Sequence, residues 1–186
     1  MVRYLSEQLP QQYYFHNLQH TLEVVSCVEK IVRAEKVAAA DSGVLRTAAL
    51  FHDAGYMFRY ADNEALGAEF AVRELPRFGY SVDQIEQIRE LILSTVFPQK
   101  PQTYFQRIIC DADLFYLALP GAVARIADFR RELAALGMVH PDSVWWQMEW
   151  DFLHRQHFFL PFCETAYQQA LPALLQQLQA TLKIEE

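Results

Sequence analysis

Apolar residues recur along the chain at spacings of three and four, and alternating runs of Val, Ile and Thr are scarce, which predicts an all-helical protein. One helix is expected over about 14–38. A second, capped by Asp41–Ser42, runs through LRTAALFHDAGYMF with a bend at Gly55. A third covers about 62–75 and stops at 76-PRFGYS-81, and a fourth covers about 82–96 and stops at 97-FPQKP-101. A fifth is expected over about 103–119, a sixth over about 122–136 between Pro120–Gly121 and Gly137, and an aromatic-rich helix from Asp142 that kinks at Pro161. A last amphipathic helix spans about 171–182. The pattern is that of a compact bundle of seven to nine helices, a single domain over 1–186 with its motifs between about 14 and 119 and further helices over about 122–183.

Composition narrows this picture. The chain is 52% hydrophobic and 21% charged, as a folded globular protein is, and no apolar run approaches the length of a membrane span. The opening MVRYLSEQLPQQ lacks an apolar signal region, so a cytoplasmic location without membrane attachment is expected. Cys27, Cys110 and Cys163 stand far apart in apolar surroundings, which suits buried reduced thiols. A formal net charge of −7 argues against a nucleic-acid duplex as partner, because such surfaces cluster Lys and Arg. A small phosphorylated ligand stays compatible if a divalent cation supplies the local positive charge.

Three segments carry polar residues in apolar settings. In 14-YFHNLQH-20, His16 and His20 are four apart and, on one helix, would share a face. In 48-AALFHDAGY-56, His52 and Asp53 close an apolar run, a costly place for a carboxylate unless a cation, a proton or dense hydrogen bonding compensates. In 108-IICDADLFYLAL-119, Asp111 and Asp113 interrupt an apolar helix and point in nearly opposite directions, so only one of them need be special. Each segment alone is more often structural than functional.

Together the order His20, His52–Asp53, Asp113 resembles the HD superfamily of metal-dependent phosphohydrolases. YFHNLQHTLEVV is similar to the YHNxxHxxxV stretch shared with helical cyclic-nucleotide phosphodiesterases, and 51-FHDAGY-56 to an FHDxGY variant of the central motif. The segment DADL and the later Trp146, Phe152, Leu153, His157 and Phe158 resemble small stand-alone HD proteins. The resemblance implies ligation of a divalent metal by His20, His52, Asp53 and Asp113, with Asp111 as second choice for the fourth position. It also implies proton donation to the leaving oxygen by His16, with Asn17 orienting it. Asp53 could ligate and also take a proton from water.

A donor set of imidazoles and carboxylates suits Mn, Fe, Co, Ni or Zn better than Mg alone. Many superfamily members carry a further histidine where this chain has Asn63, and no histidine falls between His52 and His140, so a mononuclear centre is expected. Arg59, Lys100 and Arg107 are candidates to orient phosphate, while Trp146 and His157, with Trp145, Trp150 and His154 nearby, could line a pocket for a nucleotide. The reading is a hydrolase of a phosphomonoester or phosphodiester, with a nucleotide as substrate. Asn63 keeps open an alternative in which the pocket senses a nucleotide without turning it over. The aromatic late helices offer surface for a homodimer.

Overall fold

The computed structural model describes residues 1–184, with side chains described through residue 181. Nine α-helices and no strand occur among the described residues: α1 Val2–Gln8, α2 Leu18–Ala34, α3 Ala39–Phe51, α4 Asn63–Glu74, α5 Val82–Leu93, α6 Tyr104–Leu114, α7 Ala122–Ala135, α8 Asp142–Arg155 and α9 Pro161–Ile184. Short 3-10 turns follow α3, α4 and α6 at 54–57, 75–78 and 115–118. Helix α2 packs on α3 and α6, α3 on α5, and α5 on α4; α9 closes over the turn 115–118. The shared core includes Val28, Ile31, Leu45, Ile88, Ile92, Ile108 and Ile109, all buried, and the three cysteines are free and buried within it. No helix among the described residues is long and apolar enough to cross a membrane.

Local signals explain most boundaries. Ser81 and Thr103 cap α5 and α6, each accepting the N–H of a glutamine three residues on whose side chain reaches back, a reciprocal box that fixes the first turn. Helix α2 ends where Lys36 takes φ 54°, with the Val37 N–H returning to the Val32 carbonyl at 2.9 Å, a termination usually given to glycine.

Four expectations need correction. First, the stretch 14–17 is not helical: Asn17 is the N-cap of α2, extended at φ −122°, and its Oδ1 accepts the His20 N–H at 3.1 Å. His16 therefore precedes the helix, and the helical face it was expected to share with His20 does not exist. Second, α3 starts at Ala39, before Asp41–Ser42; Asp41 lies in the first turn, where a carboxylate favours the helix dipole. Third, α8 ends at Arg155 and Pro161 opens α9 instead of kinking it, since a first-turn proline needs no N–H. The helix expected from 171 thus begins ten residues earlier and carries Pro172 inside it. Fourth, α1 was not anticipated from the pattern; it packs through the buried Leu5.

Candidate functional site

The end of α3 is brought to its neighbours by two glycines. A Cβ on Gly55 would stand 1.8 Å from the Asn63 carbonyl oxygen, and one on Gly67 would stand 2.9 Å from that of Phe51 and 3.3 Å from that of His52. Only glycine lets α4 press backbone to backbone against the His52–Asp53 segment. From the other side α2 and α6 pack along α3, delivering His20 and Asp113 to the same point.

His20, His52 and Asp113 offer ligand atoms that all lie within 4.8 Å of one another. His52 Nδ1–H donates to the Ala49 carbonyl at 2.8 Å, which fixes the tautomer and turns the Nε2 lone pair inward. That lone pair faces carboxylate oxygens, Asp53 Oδ2 at 3.2 Å and Asp113 Oδ1 at 3.4 Å. His20 Nε2 stands 3.2 Å from Asp113 Oδ1 and 3.5 Å from Asp53 Oδ2. His52 Nε2 and Asp53 Oδ2 are buried without a hydrogen-bond partner, as is His20 Nδ1. Lone pairs aimed at one another in a buried place are unfavourable unless a cation or proton sits among them. Bonds of about 2.0–2.2 Å to a first-row ion set adjacent donors roughly 3 Å apart, so the residues present fit a metal.

The electrostatics agree. Burial works against the His52 imidazolium, but Asp53 and Asp113 outweigh it and raise its pKa well above the ordinary value. Burial likewise opposes the Asp53 and Asp113 carboxylates, yet the surrounding imidazoles hold both below the usual range. The pocket therefore favours positive charge at its centre. Asp53 Oδ1 also receives the Asn63 amide at 3.4 Å, and Asp113 Oδ2 the Gln99 amide at 2.9 Å.

The two aspartates of DADL separate cleanly. Asp111 is buried on the opposite side of α6, where its oxygens accept the N–H groups of Phe159 and Leu160, both at 2.8 Å. Burial pushes its pKa up to about 6. It anchors the extended link between α8 and α9, and of the pair it is Asp113 that stands beside the imidazoles.

His16 is held by α7 from across the sequence. The fully buried Glu132 accepts the backbone N–H groups of Phe15 at 2.8 Å and His16 at 2.9 Å through Oε2, and the His16 Nδ1–H through Oε1. Arg125 donates to the Phe15 carbonyl at 3.0 Å and lies over its ring, and Arg131 lies over Tyr14. The imidazole stacks on Tyr56 with centroids 4.4 Å apart. Asn17 does not orient it, being occupied with the His20 N–H and the Tyr14 carbonyl.

His16, Asp53 and Asp113 open on a cavity of about 400 Å³ walled by Phe15, Tyr56, Tyr60, Tyr116, Phe129 and Phe152. Its described lining carries four carboxylates, from Asp53, Glu64, Asp113 and Glu149, and no lysine or arginine. Arg59 is exposed and paired with Asp62, Lys100 is exposed in the loop after α5, and Arg107 is exposed on α6; none lines the cavity. Trp146 is buried beneath Arg130 and lines a separate shallow pocket beside α7. His157 is exposed and lines an adjoining pocket that shares Phe97, Gln99, Leu114, Met148 and Phe152 with the cavity. Sequence reasoning missed Glu132, Glu149, Gln99 and the tyrosines. Glu132 has no local signal, since it meets His16 from 116 residues away.

Two imidazoles and the carboxylates beside them, delivered by three helices to one buried point under an aromatic cavity, define a helical, hydrolase-like domain able to hold a metal. The chain belongs to the HD domain family, whose pattern matches residues 17–116. A solved structure described as a predicted HD superfamily hydrolase, from an uncultured Thermotogales bacterium, matches with a TM-score of 0.67 at 19% identity, covering 100% of this chain and 89% of that one. At that identity the likeness is one of fold. No curated protein matches the chain.

Proposed function

We infer that the protein hydrolyses a phosphomonoester or phosphodiester, with a nucleotide as the substrate class, using a divalent first-row transition ion. The observation that carries this reading is the inward-facing group of His20, His52 and Asp113 with Asp53 beside it, in which His52 Nε2 and Asp53 Oδ2 are buried without a hydrogen-bond partner. These four residues would hold the ion, His20 and His52 through Nε2, Asp53 through Oδ2 and Asp113 through Oδ1. When bound, it supplies the positive charge that a phosphoryl group needs and makes a neighbouring water more acidic.

The chain's own groups then divide the proton work. Asp53 accepts the proton of the attacking water, with Asn63 steadying its other oxygen. Bond formation from water to phosphorus breaks the bond to the leaving oxygen, and His16 delivers a proton to that oxygen from Nε2. His16 can do so because Glu132 occupies Nδ1 and fixes the ring on Tyr56. The aromatic wall excludes bulk water from the reacting atoms. With no lysine or arginine in its described lining, the cavity favours a single phosphoryl group over a di- or triphosphate tail.

Metal analysis of the purified protein, followed by phosphate release from nucleoside mono-, di- and triphosphates and cyclic nucleotides, tests the reading. Asp53→Ala is expected to lose both metal and turnover. His16→Ala is expected to keep the metal and lose roughly 10²–10⁴-fold in kcat, the range for a positioned general acid. Metal-free protein with unchanged phosphate release would overturn the proposal.

A further inference from the structure

One buried charge in the cavity has no part in the chemistry above. Glu149 projects from α8 into the cavity wall, only 9% exposed, and no hydrogen bond or ion pair to it occurs among the described residues. Its neighbours on the lining are apolar or aromatic, Ile126, Phe129, Met148 and Phe152 among them. A buried carboxylate is expensive unless a proton, a cation or N–H donors meet it. Burial raises its pKa to about 7. Asp111, more deeply buried, is satisfied by two backbone N–H groups; Glu149 has no such hydrogen bond among the described residues.

We propose that Glu149 is the specificity-determining residue of this cavity, reading nitrogen-borne donors, an ammonium group or the N–H edge of a base, on the organic part of a phosphate ester. The inference rests on the phosphohydrolase reading for the other end of the substrate. The cavity supports it in three ways. It lines up an anionic acceptor with the metal-site residues in one enclosure of about 400 Å³, room for a phosphate ester with one ring system or a short chain. Its aromatic walls suit a flat base or a cation, either of which is attracted to ring faces. It also has no lysine or arginine in its described lining that would satisfy Glu149 in place of the ligand. A ligand that fills the cavity displaces the water this carboxylate can reach, so one without donors leaves it unpaired and is discriminated against.

The test uses pairs of esters that differ by one amino group: guanosine against inosine 5′-monophosphate, of which the second keeps N1–H but lacks the 2-amino donors, and 6-aminohexyl against hexyl phosphate. Each is measured with the full chain loaded with Mn²⁺, as wild type, Glu149→Gln and Glu149→Leu. The wild type is expected to prefer the donor-bearing member of one pair roughly tenfold or more in kcat/KM, the size of one charge-assisted hydrogen bond. That ratio is expected to fall below about threefold in Glu149→Leu, or in the isosteric Glu149→Gln should the leucine variant not fold. The purine pair or the alkyl pair showing the preference tells a base edge from an ammonium group. Ratios below about threefold in both wild-type pairs, or a preference that survives the substitution, overturn the proposal.

Calorimetric binding of the same pairs separates the two readings. Discrimination in binding that depends on Glu149, with no ester turned over, sinks the hydrolase reading and leaves this one standing. Turnover without such discrimination does the reverse. Removing a largely buried, unpaired carboxylate is also expected to raise Tm by roughly 2–4 °C at pH 8, whereas a structural role would lower it.

Discussion

The two carboxylates of DADL, two residues apart on α6, live in opposite worlds. Asp111 faces the link between α8 and α9 and has both oxygens filled by backbone N–H groups. Asp113 faces α2 and α3, where its Oδ1 meets two imidazole nitrogens and only Oδ2 has an amide donor. The same residue type is structural on one side of the helix and available for ligation on the other. What separates them is whether the fold satisfies the oxygen internally. A satisfied buried carboxylate holds the chain together, and an unsatisfied one costs stability that a ligand can return.

The sharpest way to break the comparison is to exchange the losses. Asp113→Asn is expected to reduce metal content and lower phosphate release by at least about 10³-fold, near 4 kcal/mol, while unfolding in chelator changes little or improves. Asp111→Ala should do the opposite, keeping metal stoichiometry and losing about 3 kcal/mol in denaturant unfolding because two buried N–H groups lose their acceptor. If both substitutions lowered stability alike and spared metal, the division of roles would be wrong.

Next in size is Gly55→Ala, expected to destabilise by about 3 kcal/mol and to lower metal affinity with it. The new Cβ meets backbone at Asn63, so α4 must back away from Asp53. Retained Tm and metal binding in that variant would show that the close approach is not needed.

A pH titration of stability sharpens the Asp111 side. Its folded pKa of about 6 lies above the ordinary aspartate value, so the folded state holds a proton that the unfolded chain has released. The contribution is full below about pH 4, and about 2–3 kcal/mol is lost as pH rises to 6. Asp111→Asn should flatten that slope in urea unfolding measured between pH 4 and 7. Smallest of all, Arg59→Ala and Lys100→Ala are expected to change kcat/KM by less than about twofold and stability by less than about 0.5 kcal/mol, since both side chains are exposed outside the cavity.

Much of the helical skeleton was legible because amphipathic periodicity and capping residues are local. Ser81 and Thr103 announce α5 and α6, and Gly79 and Gly137 mark turns at positive φ. The misreading of 14–17 is instructive. Tyr13 and Phe15 are buried while Tyr14 and His16 are less so, an alternation that fits extended chain, and Asn17 offered a cap three residues before His20. Pro161 was read as a kink because the aromatic run around it looked continuous, although a proline is most at home in a first turn.

The sequence by itself determined which residues have costly side chains in apolar settings, His20, His52, Asp53 and the DADL pair, and which local patterns wind into helices, because propensity and burial cost act over a few residues. Only the tertiary structure decided that Asp113 faces the imidazoles while Asp111 does not, that Glu132 grips His16, and that Glu149 stands unpaired in the cavity wall. Those outcomes depend on which helix faces meet across up to 116 residues of chain. No local pattern encodes that, since hydrogen bonds and unpaired charges are settled by the packing of helices far apart in sequence.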